Sequence, residues 1–170
     1  MLELYVMRHA KSSWDNLQLP DHDRPLSDRG KRNAKKICEF FVKKQIKFDL
    51  VLVSSSIRTK KTLKILQKKL EKPKKIITSK SLYLANENKI ALKIKKIKKD
   101  YKKVLLINHE PAVTNLVNYL VKNKKNSLFK LMNYKFPTAA FAKIVFDLDN
   151  WSKINNRTGL LKNFIRPKDI

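Results

Sequence analysis

Residues 2–14 read LELYVMRHAKSSW. An apolar run long enough for one buried strand stops at Arg8-His9 and gives way to small polar residues. A strand end that merely meets solvent has no need of an arginine beside a histidine. A strand that carries a reactive pair to the edge of a sheet does.

Two other stretches repeat the pattern. DLVLVSSSIRTKKT (49–62) runs from an apolar strand through serines into a helix that begins near Arg58, and VLLINHEP (104–111) ends its strand at His109. Between them lie helical patterns: PLSDRGKRNAKKICEFFVKK, with Ser27 as its N-cap, and a lysine-coated helix over 86–99. A helix starts at EPAVTNLVNYLV, where Pro111 is tolerated in the first turn. KKIITS (74–79) reads as a short strand, TAAFAKIVFD (138–147) as a longer one and GLLKNFIRP as a terminal one. This alternation predicts an α/β fold: a three-layer α/β/α sandwich around a mostly parallel central sheet. With no repeat, linker or break in composition, residues 1–170 form one domain.

In open α/β sheets ligands bind beyond the carboxyl ends of the strands, so Arg8, His9, Arg58 and His109 converge there. With no acid expected nearby, they make a cationic pocket. Arginine's planar fork suits a tetrahedral oxyanion, and Arg58 in the first turn of its helix adds that helix's free N–H groups. A neutral imidazole can attack phosphorus, and cationic neighbours disfavour the imidazolium, so Arg8 helps keep His9 neutral. His109 can donate a hydrogen bond to phosphoryl oxygens.

MRHAKSSW, SSSIRTKKT, NHEP and DRPLSDRGKRNA together resemble the histidine phosphatase superfamily, with its phosphoglycerate mutase-like fold. FPTAAFAKIVFD and the ending FIRPKDI resemble its SixA-type phosphohistidine phosphatase branch. The resemblance implies that His9 is the phosphorylated nucleophile and that Arg8, Arg58 and His109 complete the phosphate pocket. It places Ser12 and Asp15 where relatives make further contacts, although Asp15 stands where many carry asparagine. Larger relatives hold a glutamate proton donor in a Leu-x-Glu stretch; here that stretch is Leu82-Tyr83-Leu84. An alkoxide leaving group needs such an acid, whereas imidazole departs neutral, so phosphohistidine is favoured over a sugar phosphate. Asp15, Asp21 and Asp23 are the candidates if an acid is used. A broad phosphomonoesterase or mutase of the same fold is the alternative. The implied partner is a phosphorylated protein or a small phosphorylated substrate.

Composition narrows the other classes. Forty Lys+Arg against fourteen Asp+Glu give a net charge of +26. The lysines are spread along the chain beside many Ile and Asn, which fits an A+T-rich genome better than a nucleic-acid footprint. Cys38 is the single cysteine and falls on an apolar helix face, so neither a disulfide nor a zinc cluster is expected. No metal or cofactor is implied: with glycine only at 30 and 159, neither GxGxxG nor a P-loop can be written. No signal-like or membrane-spanning run is present, and a cytoplasmic location is expected. His22 reads as a loop residue, Trp14 as packing or a pocket rim, and Arg24 as half of an ion pair with Asp21 or Asp23.

Overall fold

The computed structural model describes residues 1–170. Its six strands are β1 (Leu2–Arg8), β2 (Leu50–Ser54), β3 (Lys75–Ser79), β4 (Lys103–Asn108), β5 (Phe141–Phe146) and β6 (Gly159–Ile165). The five helices are α1 (Asp28–Lys43), α2 (Ile57–Leu66), α3 (Glu87–Lys95), α4 (Ala112–Leu120) and α5 (Ser127–Tyr134). One sheet takes the order β3-β2-β4-β1-β5-β6. The first four strands in that order are parallel, and β5 and β6 add an antiparallel edge.

Strand alternation sorts the core into two layers. Leu2, Leu4 and Val6 of β1 face a core shared with α3, α4 and α5. Tyr5 and Met7 face a smaller, aromatic core shared with α1 and α2, where Tyr5, Phe41, Phe48 and Phe141 meet edge to face or tilted. The result is an α/β/α sandwich. The lysine-coated helix stops at Lys95, short of 99, and the strand expected over 138–147 spans only 141–146. Helix α5 has no forerunner in the sequence reading. It is eight residues long and follows the polar run KNKKN, with Asn126 as its cap.

Several local devices fix the strand ends. Ser27 accepts a hydrogen bond from the Gly30 amide, a cap worth about 1 kcal/mol. Gly30 lies so close to the Lys11 carbonyl that a Cβ there would collide with backbone. Ala139 adopts a left-handed φ of 65°, and its amide reaches the carbonyls of both Arg8 and His9 at 3.2 and 3.0 Å. The end of β1 is thus pinned from α1 and from the approach to β5.

Candidate active site

The carboxyl ends of β1, β2 and β4 bring His9, Arg58 and His109 together. The His9 and His109 rings lie 5.2 Å apart, and Arg58 Nε donates to His9 Nε2 at 3.3 Å. All three side chains are buried. His9 Nδ1 sits 2.7 Å from the Ala10 carbonyl, which can only accept. The proton therefore resides on Nδ1, and the lone pair is on Nε2, facing Arg58.

Burial sets the protonation state. Desolvation pushes the His9 pKa down from 6.5 to about 3, against the Ala10 hydrogen bond, with His109, Arg58 and finally Arg8 adding smaller repulsions. Arg8 acts in the direction expected from the sequence, but it contributes least. Desolvation and Arg58 likewise lower His109 to about 4. Both rings are neutral at physiological pH. Arg8 turns one guanidinium nitrogen to the Phe136 carbonyl at 2.8 Å, while its Nε is buried without a partner. This leaves hydrogen-bonding capacity at the strand end.

The serine run divides its work. Ser54 Oγ lies 2.8 Å from His109 Nε2, Ser55 Oγ lies 2.9 Å from His22 Nε2, and Ser56 caps α2 through the Thr59 amide. Thr62 Oγ1 donates to the Arg58 carbonyl and accepts from the Ala10 amide. That pair of bonds ties the first turn of α2 to the residue after the His9 ring.

The expectation of a pocket without a nearby acid fails. Ser12 bridges to Leu26, closing the intervening loop so that Asp21 folds back over the site. Asp21 holds Arg58 at 3.0 Å and Arg24 at 2.9 Å, and accepts from the Tyr83 hydroxyl at 2.6 Å. The Tyr83 bond first, then those from Arg24 and Arg58, hold the Asp21 carboxyl well below the usual carboxylate range. Three donors on one carboxylate leave it ionised, with no proton to give. Asp23 pairs only with His22. His22 is more than a loop residue: besides Ser55 it packs edge-on against Tyr83, with centroids 4.7 Å apart. Tyr83 in turn packs against His109 at 5.5 Å.

Of the remaining candidates, Ser12 is buried and accepts from Arg24 at 2.9 Å. Asp15 is exposed and makes no side-chain bond to the cluster. Trp14 covers Arg24, whose guanidinium carbon sits 3.6 Å from the ring centroid. Cys38 is buried away from the site, its thiol on the Leu66 carbonyl. The ion pair expected between Arg24 and Asp21 forms, whereas Tyr83 and His22 are the residues whose place in the site the sequence left unread. No group of three His, Cys, Asp or Glu is placed to hold a metal ion. No helix is long and apolar enough to cross a membrane.

The arrangement offers a lone-pair nitrogen, arginine donors and a second neutral imidazole around one small space, a set able to bind and attack a phosphoryl group. Residues 4–83 match the family model described as histidine phosphatase superfamily (branch 1). A stretch of 64 residues is 45% identical to an uncharacterised chloroplastic protein of Arabidopsis thaliana, covering 38% of this chain and 29% of that protein. In fold the chain is similar to a provisionally named phosphohistidine phosphatase SixA from Nakamurella multipartitia, with a TM-score of 0.85 and 21% identity over 98% of this chain and 96% of that one. It is also similar to a protein histidine phosphatase SixA solved with tungstate, with a TM-score of 0.81 and 20% identity over 99% of each chain.

Proposed function

We propose that this chain is a histidine phosphatase, the family whose model matches residues 4–83, and that it hydrolyses phosphohistidine, carried on a protein, through a covalent intermediate on His9, without a metal. The single observation that carries the reading is the His9 ring itself. It is buried and neutral, with its proton fixed on Nδ1 and its Nε2 lone pair beside Arg58.

In the first step His9 Nε2 attacks phosphorus as the substrate's P–N bond breaks. The leaving imidazole departs neutral when its other ring nitrogen carries a proton. Arg58 shifts its hydrogen bond from the ring to a phosphoryl oxygen, and Arg8 and His109 donate to the others. In the second step water attacks the phosphorus, the Nε2–P bond breaks, and inorganic phosphate leaves. Ser12 and Asp15 remain candidates for further substrate contacts.

Phosphohistidine is favoured over a phosphate ester by the state of the nearest acid. Asp21 is ionised and fully engaged, so it cannot protonate an alkoxide. The tungstate bound by the SixA relative is a tetrahedral oxyanion like phosphate, which supports the same pocket chemistry. The test is side-by-side turnover of phosphohistidine, p-nitrophenyl phosphate and a sugar phosphate, with and without EDTA, while trapping the labelled enzyme. An acid-labile, base-stable label that maps to His9, with phosphohistidine turned over fastest, is expected. Preference for the esters would move the assignment to the phosphomonoesterase alternative, and loss of activity in EDTA would remove the metal-free part.

A further inference from the structure

The residues that follow His9 and Ala10 line a groove of about 830 Å³. Its floor includes Lys11 and Ser12, and its wall carries Lys61 and Lys64 of α2 and Lys68 in the turn after it. Spacings of three and four residues put these lysines on one helical face. All of them, and Lys11, are exposed, and none makes an ion pair, although Lys47, Lys69 and Lys74 nearby each do. No acidic residue occurs between Asp49 and Glu71, and of the two aspartates that line the groove Asp28 pairs with Lys31, which leaves Asp15 against four lysines. Trp14 forms the lip, 59% exposed despite stacking on Arg24.

Genome-wide lysine enrichment accounts for charge but not for this placement. The groove is concave and carries one exposed aromatic. It is joined to the catalytic cluster through Trp14, Arg24, Asp21 and Arg58 in successive contact. We propose that it docks an acidic, partly apolar segment of the phosphoprotein substrate, holding the chain beside its phosphohistidine while the phosphoryl group reaches His9. Carboxylates meet Lys61, Lys64 and Lys68, and one apolar side chain covers Trp14. A nucleic-acid strand fits less well, because single strands are held by successive stacking faces and this groove presents one. The inference rests on the phosphohistidine reading, which it extends from the reacting group to the surrounding protein.

The test uses two synthetic peptides around one phosphohistidine, flanked by glutamates in one and lysines in the other, with phosphoimidazole as the minimal substrate. At low salt the protein should turn over the acidic peptide about tenfold faster than the basic one, judged by kcat/KM, and high salt should erase the difference. Lys61→Glu/Lys64→Glu/Lys68→Glu should abolish the preference and leave phosphoimidazole turnover unchanged. Equal rates for the two peptides, or a preference that survives charge reversal, would overturn the docking site while leaving the phosphatase reading intact. A binding arm needs no turnover. Trp151 is fully buried, so a change in tryptophan emission on adding the unphosphorylated acidic peptide reports Trp14, and Trp14→Phe removes it. If no substrate is hydrolysed, a Trp14 signal confined to the acidic peptide still supports the groove. An equal response to an oligonucleotide of the same charge would overturn it.

Discussion

The ends of β1 and β4 lie side by side in register, Arg8 opposite Asn108, and each is followed by a buried histidine. The two rings nevertheless differ in what holds them. His9 faces a backbone carbonyl that can only accept, which locks one tautomer and one lone pair. His109 faces the Ser54 hydroxyl, which can donate or accept, and its Nδ1 has no partner. The first arrangement suits a nucleophile that must present the same nitrogen each time. The second suits a group that exchanges a proton or a hydrogen bond as charge moves.

The sharpest way to break this contrast is to remove the rings one at a time. His9→Ala should abolish the covalent label and lower kcat by at least about 10³-fold, as losses of a nucleophile do. His109→Ala should slow turnover but still accept the label on His9. A label lost in His109→Ala and kept in His9→Ala would reverse the roles. A smaller effect is expected at the hydroxyl. Ser54→Ala leaves the buried His109 Nε2 without its partner, so kcat should fall about three- to tenfold and the shape of its pH profile should change, with KM little altered. An unchanged profile would mean that the hydroxyl only packs against the ring.

The smallest effect is on stability. Both folded-state pKa values lie below 6.5, at about 3 and about 4. As pH falls through 6.5 the unfolded chain takes up two protons that the folded chain refuses. The contribution of each ring is complete above pH 6.5 and declines toward pH 4, by at most about 1.4 kcal/mol per pH unit. The ionised Asp21 adds its own loss only as pH drops through its ordinary value of 3.8. Urea unfolding at pH 7.5 and 5.5 should show a fall that is shallower in His9→Ala, and identical slopes would contradict the burial argument.

What could be read from the sequence follows from the same physics. Apolar runs that stop at polar residues mark strand ends, and in a parallel sheet strand ends share an edge, so Arg8, His9, Arg58 and His109 were legible. His22 and Tyr83 were not, because they enter the site from a loop and a short turn that carry no periodicity. DHDRP offered Asp21 as a partner for Arg24, but nothing in it reveals that the same carboxylate reaches on to Arg58 and Tyr83. The strands near 141 and 159 were visible as elements, but not their antiparallel direction, which depends on how the chain returns past α5.

The place of β1 in the sheet carries a consequence for biosynthesis. Strand β1 pairs with residues 103–108 and 141–146, all made after it, and Arg8 also reaches the Phe136 carbonyl. The His9 ring is therefore made well before the strands that position it. Its surroundings depend on contacts spanning more than 100 residues, the kind that slow folding most. A nascent chain that stops before residue 141 lacks one of the two neighbours of β1, so the strand that carries His9 is not held on both sides until β5 is made.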